Sequence, residues 1–302
     1  SGADLIKIQT YEPQDITINT NNKKFFINSG TWKGMRLWDI YKKAHTPFKW
    51  HKDAFALCKK IGVGLFSSPF SMRAVDLLEK FNVKLYKIAS FEITDLKLID
   101  YIASKRKPII ISTGMATNKE ISEAIKTIKR YHNKIIILHC VSSYPTKLKD
   151  INLEKINKLK LLYKDCLVGL SDHTDNIISS IASMPFKVIA IEKHFNIDDN
   201  IKTVDSSFSI NEKLLKNLKT FSVSLHQSFN KKIINVEKIN KNLRRSIFAK
   251  KNIKKNDKLT AKNIDTLRPF IGICASKYFK VLGRKIKKDI KEGYPIKENM
   301  LF

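Results

Sequence analysis

The sequence predicts a (β/α)8 barrel, the TIM-barrel architecture, followed by a small β-rich module, and three observations carry that prediction. Short runs rich in β-branched and aliphatic residues recur at 5–10, 64–69, 85–90, 108–113, 135–142, 167–172 and 188–194. They are continuously apolar rather than alternating, as strands covered on both faces of a parallel sheet are. Amphipathic stretches at 52–60, 71–81, 96–105, 118–131, 152–163 and 177–184 separate them, so strand and helix alternate along the chain. Chemically capable side chains then close nearly every run: Gln9, Ser67 and Ser68, Lys87 with Ser90 and Glu92, Ser112 and Thr113, His139 and Ser142, Ser171 with Asp172 and His173, and Glu192 with His194. A dinucleotide fold would gather such residues behind one glycine-rich turn, and no GxGxxG is present. A ring fed by every strand is what a barrel provides.

Seven strands are one short of the eight that close such a barrel. The chain begins at Ser1 without a methionine, and the expectation is a first βα unit upstream; the alternative is an open barrel with an exposed parallel edge. Thr117 followed by Glu120 predicts a capped helix start. Between Tyr11 and His51 the chain makes a long excursion, in which alternating stretches at 16–20 and 25–28 around Asn21-Asn22 predict a β-hairpin. A loop of this length on the active face is usually a lid or a substrate wall. Beyond Phe195 a helix is predicted at 211–227, then a Lys/Asn-rich linker at 230–242, then a compact tail of short strands and turns from Arg244 to Phe302. The expected domains are 1–240 and 241–302.

Composition narrows the function. The chain has 302 residues, 57 basic against 28 acidic, for a net charge of +29. Of the basic residues only 8 are Arg, and they are scattered, whereas bidentate reading of bases and phosphates draws on Arg. The charge is therefore read as a solvated lysine-rich surface that can draw in an anionic small substrate, with no nucleic-acid partner expected. No apolar run approaches the ~20 residues that span a bilayer, so no membrane partner is expected either. Four widely spaced cysteines without a CxxC pair point to reduced thiols and a cytoplasmic location.

The strongest constellation is Ser171-Asp172-His173-Thr174 with Glu192-Lys193-His194-Phe195. Two imidazoles at the ends of consecutive strands can converge at the rim and hold a divalent cation such as Mn²⁺ or Mg²⁺ with open positions. Each could instead be a core histidine satisfied by one local hydrogen bond. Lys87, at the end of a buried strand, is suited to pairing with a phosphate or carboxylate, or to forming a Schiff base. Ser90, Ser112 and Ser142 are hydroxyl donors on successive strand ends, and Lys7 and Gln9 stand at the same level on the first strand.

The motifs KIQTY (7–11), FSSPF (66–70), YKIASFE (86–92), ISTGMAT (111–117), HCVSSYPT (139–146), GLSDHT (169–174) and EKHF (192–195) occur in an order that resembles the sialic acid synthase family. The tail at 244–269 resembles that family's SAF, or antifreeze-like, domain. KIASFE and the excursion TYEPQDITIN…HTPFKWH resemble the family's pseudaminate-forming branch. The resemblance implies an enzyme that condenses phosphoenolpyruvate with an N-acetylated amino sugar. It implies a divalent metal on His173 and His194, and phosphoenolpyruvate held by Lys87, Ser90, Ser112, Ser142 and Ser171. Lys7, Gln9, Tyr144, Glu192 and Asp205 would line the phosphate and sugar pockets, with Lys87, Glu92, Glu192 and Tyr144 as the catalytic set. Arg268 would serve the site of a partner subunit, implying a domain-swapped homodimer. The sequence departs from the family in three places: no residue matches an acidic side chain of the family's first strand, the loop after His194 reads NIDDNIKTVDSSF where relatives carry an arginine and a Gly-Gly-Pro turn, and His139 stands where the pseudaminate-forming branch often has a lysine. The rival expectations are the same chemistry on a legionaminate or N-acetylneuraminate precursor, and a truncated, non-catalytic remnant.

Overall fold

The structure is a computed structural model that describes residues 1–229 and 240–302. The chain divides after Phe229 into two compact units. Most of the linker expected at 230–242 lies outside the described residues, as does the region next to the boundary expected near 240.

The first unit is built on a seven-stranded, wholly parallel sheet: β1 Leu5–Thr10, β2 Gly64–Pro69, β3 Tyr86–Ile88, β4 Ile109–Ser112, β5 Ile135–Cys140, β6 Leu167–Asp172 and β7 Ile191–Lys193. The strands lie side by side in chain order, so β1 and β7 form the two edges of a TIM-barrel-like sheet. Every predicted strand is present. β3 and β7 are shorter than their apolar runs because Ser90–Glu92 turns into a 3-10 helix and only Ile191–Lys193 pairs along β6.

Helices α3 His51–Ile61, α4 Met72–Lys80, α5 Leu96–Ser104, α6 Asn118–Lys129, α7 Lys155–Leu162 and α8 Ile178–Ser183 return the chain between strands, and α1 Pro13–Ile16 and α2 Leu37–Ala44 belong to the excursion. At α6 the Thr117 side chain accepts from the Glu120 amide while Glu120 reaches back to the Thr117 amide, the reciprocal cap its sequence predicts. Outward-facing Ile88, Ile109, Ile111 and Ile137 pack against Leu78, Ile99, Ile102, Ile125 and Ile128 in the main core. Inside the sheet, Phe66, Ile110 and Leu138 form a small apolar plug. It underlies the polar strand ends, since side chains alternate faces along a strand.

The excursion differs from its prediction. Pro13–Ile16 forms α1 with Pro at its first position, Lys23–Phe25 a 3-10 turn, and Leu37–Ala44 the helix α2, which the sequence reading missed. No hairpin forms around Asn21-Asn22; Phe26 bridges Arg36 instead. The polar side chains account for the change. Asn22 accepts from the Lys24 amide, and Asn19 and Asn21 both accept from Arg36 Nη1, so local side-chain bonds displace a ladder. The excursion is closed at its base. The wholly buried His51 places Nε2 2.8 Å from Thr10 Oγ1, which lies 2.6 Å from Ser67 Oγ, so the segment leaves β1 and rejoins α3 at one hydrogen-bonded point.

After β7 the predicted helix is present as α9, Glu212–Ser228, capped by Asn211. The second unit pairs β8 Ser246–Ala249 with β9 Ile264–Leu267 antiparallel around a core of Ile247, Ile253, Leu259, Ile264, Ile286, Ile290 and Ile296. No helix among the described residues is long and apolar enough to cross a membrane.

Candidate active site

At the C-terminal ends of β1, β3 and β7 the inward positions carry charge, Lys7, Lys87 and Glu192, and those of β4 and β6 carry the hydroxyls of Ser112 and Ser171. Lys87, 2% exposed, donates from Nζ to Ser112 Oγ at 2.7 Å and to the Ile88 carbonyl at 3.1 Å, and stands 3.7 Å from Glu192. Glu192 pairs with Lys7 at 2.9 Å and accepts from Ser171 Oγ at 2.9 Å. Burial lowers the Lys87 ammonium to about 8, with Glu192 opposing the shift. Burial alone would raise Glu192, but Lys7 and Lys87 outweigh it and hold the carboxylate far below its ordinary range. Two lysines thus share one carboxylate, leaving an excess positive charge that a substrate anion can neutralise.

Beside the lysines lies a small cradle. The Gly114 amide donates to Ser90 Oγ at 3.0 Å. A Cβ at Gly114 would fall on Ser142 Oγ and within 2.8 Å of Ser90 Oγ, so this turn admits only glycine while the two hydroxyls converge. Cys140 Sγ completes the floor, 3.4 Å from Ser90 Oγ and 3.8 Å from His173 Nδ1. Glu92 faces the same space with Oε2 buried and without a hydrogen-bond partner among the described residues. Burial, opposed by Lys87, pushes its carboxyl up to about 7, so it can carry a proton near neutrality.

His173 and His194 converge as expected, ring centroids 5.4 Å apart. His173 Nδ1 lies 3.0 Å from the Val141 carbonyl, and His194 Nδ1 lies 3.3 Å from Asp205 Oδ2. Both partners accept, so each neutral ring is protonated at Nδ1 and keeps its lone pair on Nε2. That donor set fits a divalent cation completed by water or substrate oxygens. Among the described residues no third His, Cys, Asp or Glu joins the pair. Beneath them a buried ion pair ties the two strand ends: Lys193 Nζ is 3.4 Å from Asp172 Oδ2, at 3% and 0% exposure. Asp172 also accepts from Ser179, Ser180 and the Thr174 amide, and Lys193 donates to the Thr174 and Asn176 carbonyls.

Tyr144 lies against His173 at 4.6 Å and against Phe208 at 5.1 Å, and its burial raises the phenol so that it stays protonated. Gln9 stands level with Ser68 at the rim. Two strand-end residues point elsewhere: His139 Nε2 bonds the Ile151 carbonyl on the helix side, and Thr113 bonds the Leu138 carbonyl. Arg268 is exposed on the second unit after β9. The sequence reading did not single out Gly114, Cys140, Phe208 or Trp32. Gly114 sits in the quoted ISTGMAT motif, whereas Trp32 and Phe208 lie in loops without periodicity.

Fold and site together define a parallel-barrel enzyme with a cationic cradle facing two imidazoles across one barrel mouth. The chain belongs to the NeuB family, which it matches over residues 1–233, and it carries a SAF domain over residues 244–301. It is 39% identical to a pseudaminic acid synthase of Helicobacter pylori over 98% of this chain and 88% of that one. It is 34% identical to an N,N'-diacetyllegionaminic acid synthase of Campylobacter jejuni over 99% of this chain and 91% of that one. Among solved structures, the N-acetylneuraminic acid synthetase of Leptospira borgpetersenii superposes with a TM-score of 0.69 at 27% identity, over 79% of this chain and 80% of that one.

Proposed function

We propose that the chain is a pseudaminic acid synthase. It would condense phosphoenolpyruvate with 2,4-diacetamido-2,4,6-trideoxy-L-altrose and water to give pseudaminic acid and phosphate, in the cytoplasm. The observation that carries this reading is the adjacency of Lys7 and Lys87, which share Glu192, to two converging imidazoles. A doubly anionic donor and a carbonyl acceptor need such neighbours. The 36–39% identity to pseudaminic acid synthases supports the choice of acceptor.

Lys7 and Lys87, with the Ser90, Ser112, Ser142 and Ser171 hydroxyls, would hold the phosphate and carboxylate of phosphoenolpyruvate. A divalent cation on His173 and His194 would supply Lewis-acid polarisation of the open-chain aldehyde. Phosphoenolpyruvate C3 attacks the aldehyde carbon, water adds at C2, and phosphate leaves by C–O cleavage. Glu92, titrating near neutrality, would hand a proton to the new hydroxyl, while Glu192 stays ionised and keeps both lysines in place. Gln9, Tyr144 and Asp205 would meet the sugar. The family resemblance assigns Arg268 to the site of a partner subunit in a domain-swapped homodimer. Mixing inactive Arg268→Ala and Lys87→Ala chains tests that assignment, since recovered turnover requires an exchanged site.

The deciding experiment is phosphate release with Mn²⁺, phosphoenolpyruvate and each of three acceptors: the altrose derivative, the legionaminate precursor and N-acetylmannosamine. Turnover with the altrose derivative alone is expected. Turnover with another sugar moves the assignment within the family, and silence with all three makes the chain a non-catalytic remnant.

A further inference from the structure

Three loops meet above the imidazole pair, and a residue from the excursion locks them together. Trp32 donates from Nε1 to the Val204 carbonyl at 3.0 Å. Its ring lies 5.4 Å from Tyr144 and 6.1 Å from Phe208, which in turn lies 4.8 Å from His194. The neighbouring Thr31 hydroxyl donates to the Tyr144 carbonyl. Trp32 sits on a closed turn, where Ile27 donates to the Met35 carbonyl, Gly34 to that of Ile27, and Met35 to that of Trp32. Gly34 takes the positive φ of +83° that the turn demands. The indole is therefore fixed before any ligand arrives, which limits the entropy cost of binding against it.

The two halves of the mouth differ in chemistry. The cradle side is cationic and rich in hydroxyls. On the other side, the indole N–H is already committed to Val204, Phe208 is 1% exposed, and the half-buried faces of Trp32 and Tyr144 present aromatic carbon. A surface of this kind favours C–H groups over hydroxyls. Tyr144 stands between Trp32 and His173, 5.4 Å from one ring and 4.6 Å from the other. A sugar with its aldehyde at the imidazoles would thus place the far end of its open chain beside the indole.

We propose that Trp32 determines acceptor specificity, by packing on the terminal carbon of the open-chain sugar and favouring a methyl there over a hydroxymethyl group. This inference rests on the synthase reading above. Trp32 acts through contact with the sugar, and through the 196–209 loop that it fixes, which also brings Asp205 to His194.

The test is steady-state phosphate release by the wild-type chain, Trp32→Ala and Trp32→Phe, with the 6-deoxy acceptor and its 6-hydroxy counterpart, varying acceptor and phosphoenolpyruvate separately. Trp32→Ala is expected to raise the acceptor KM about tenfold, the scale of one lost aromatic contact, while the phosphoenolpyruvate KM is unchanged. The preference in kcat/KM for the 6-deoxy sugar should collapse in Trp32→Ala and largely survive in Trp32→Phe. An unaltered preference, or equal rises in both KM values, overturns the proposal. A wild-type chain that releases no phosphate with any nonulosonic precursor overturns the synthase reading, and this inference with it, a result separable from selective failure of the variants.

Discussion

The two units of the chain handle charge in opposite ways. In the SAF unit the core is aliphatic, and Ser246 is its sole wholly buried polar side chain among the described residues. Its ion pairs, Lys254–Asp289 and Lys277–Glu298 among them, are open to solvent. In the barrel unit Lys87, Asp172 and Lys193 are almost completely enclosed, and Lys7 and Glu192 nearly so. A fold that needs only stability keeps its ions wet, because a buried ion loses several kcal/mol of hydration unless well paired. Internalised charge in the barrel therefore marks where the molecule gives up stability for chemistry. The +29 net charge, the most conspicuous feature of the composition, tells far less than five side chains at strand ends.

Substitutions can break or sharpen this contrast. The largest effect is expected at Lys87: alanine there removes a cradle cation and leaves Glu192 with a single lysine. It should lower kcat/KM for phosphoenolpyruvate by about a hundredfold or more, on the scale of a lost electrostatic contact to a developing anion. Next comes Asp172→Asn, which strands Lys193 as a buried charge. It should cost about 3–5 kcal/mol in urea unfolding and weaken Mn²⁺ binding by spreading the two imidazoles; an unchanged urea midpoint would show the pair to be dispensable.

A smaller effect concerns Glu92. Its folded carboxyl titrates at about 7 against an ordinary 4.5. Between those values the folded chain keeps a proton that the unfolded chain releases, so stability should fall as pH rises through that window. Glu92→Gln should flatten the slope of urea midpoint against pH, and an equal slope in both proteins would place the titrating group elsewhere. Smallest of all is Lys254→Ala in the SAF unit. With its pair to Asp289 in solvent, the melting temperature should not measurably change.

Much of this was legible in the sequence because barrels are written in short periods. Strand runs, the Thr117/Glu120 cap and the place of Lys87, Ser112, Ser171 and Glu192 at strand ends all follow from local pattern. The excursion was not legible, since its asparagines bond Arg36 and the Lys24 amide instead of pairing strands, and α2 carries few buried residues to mark it. Trp32 escaped for a related reason: it packs on the Tyr144 ring and donates to Val204, both more than a hundred residues away, and no local window contains that information. His139 misled in the opposite sense, because one residue's shift along a strand turns a side chain from the barrel interior to the helices.

The closure of the excursion at Thr10 and His51 has a consequence for how such a protein changes over generations. The stretch between those two residues is tied at its base by that buried bond and along its length by Arg73, Tyr144 and Val204, while the groups proposed to hold phosphate belong to the strands. If the excursion is the sugar-facing wall proposed above, mutations within 12–50 would reshape that wall while Lys7, Lys87 and the strand-end serines stay in place. On the proposed reading, selectivity and reactivity would then be inherited on separable stretches of chain, so that a lineage could exchange one sugar for another while keeping its chemistry intact.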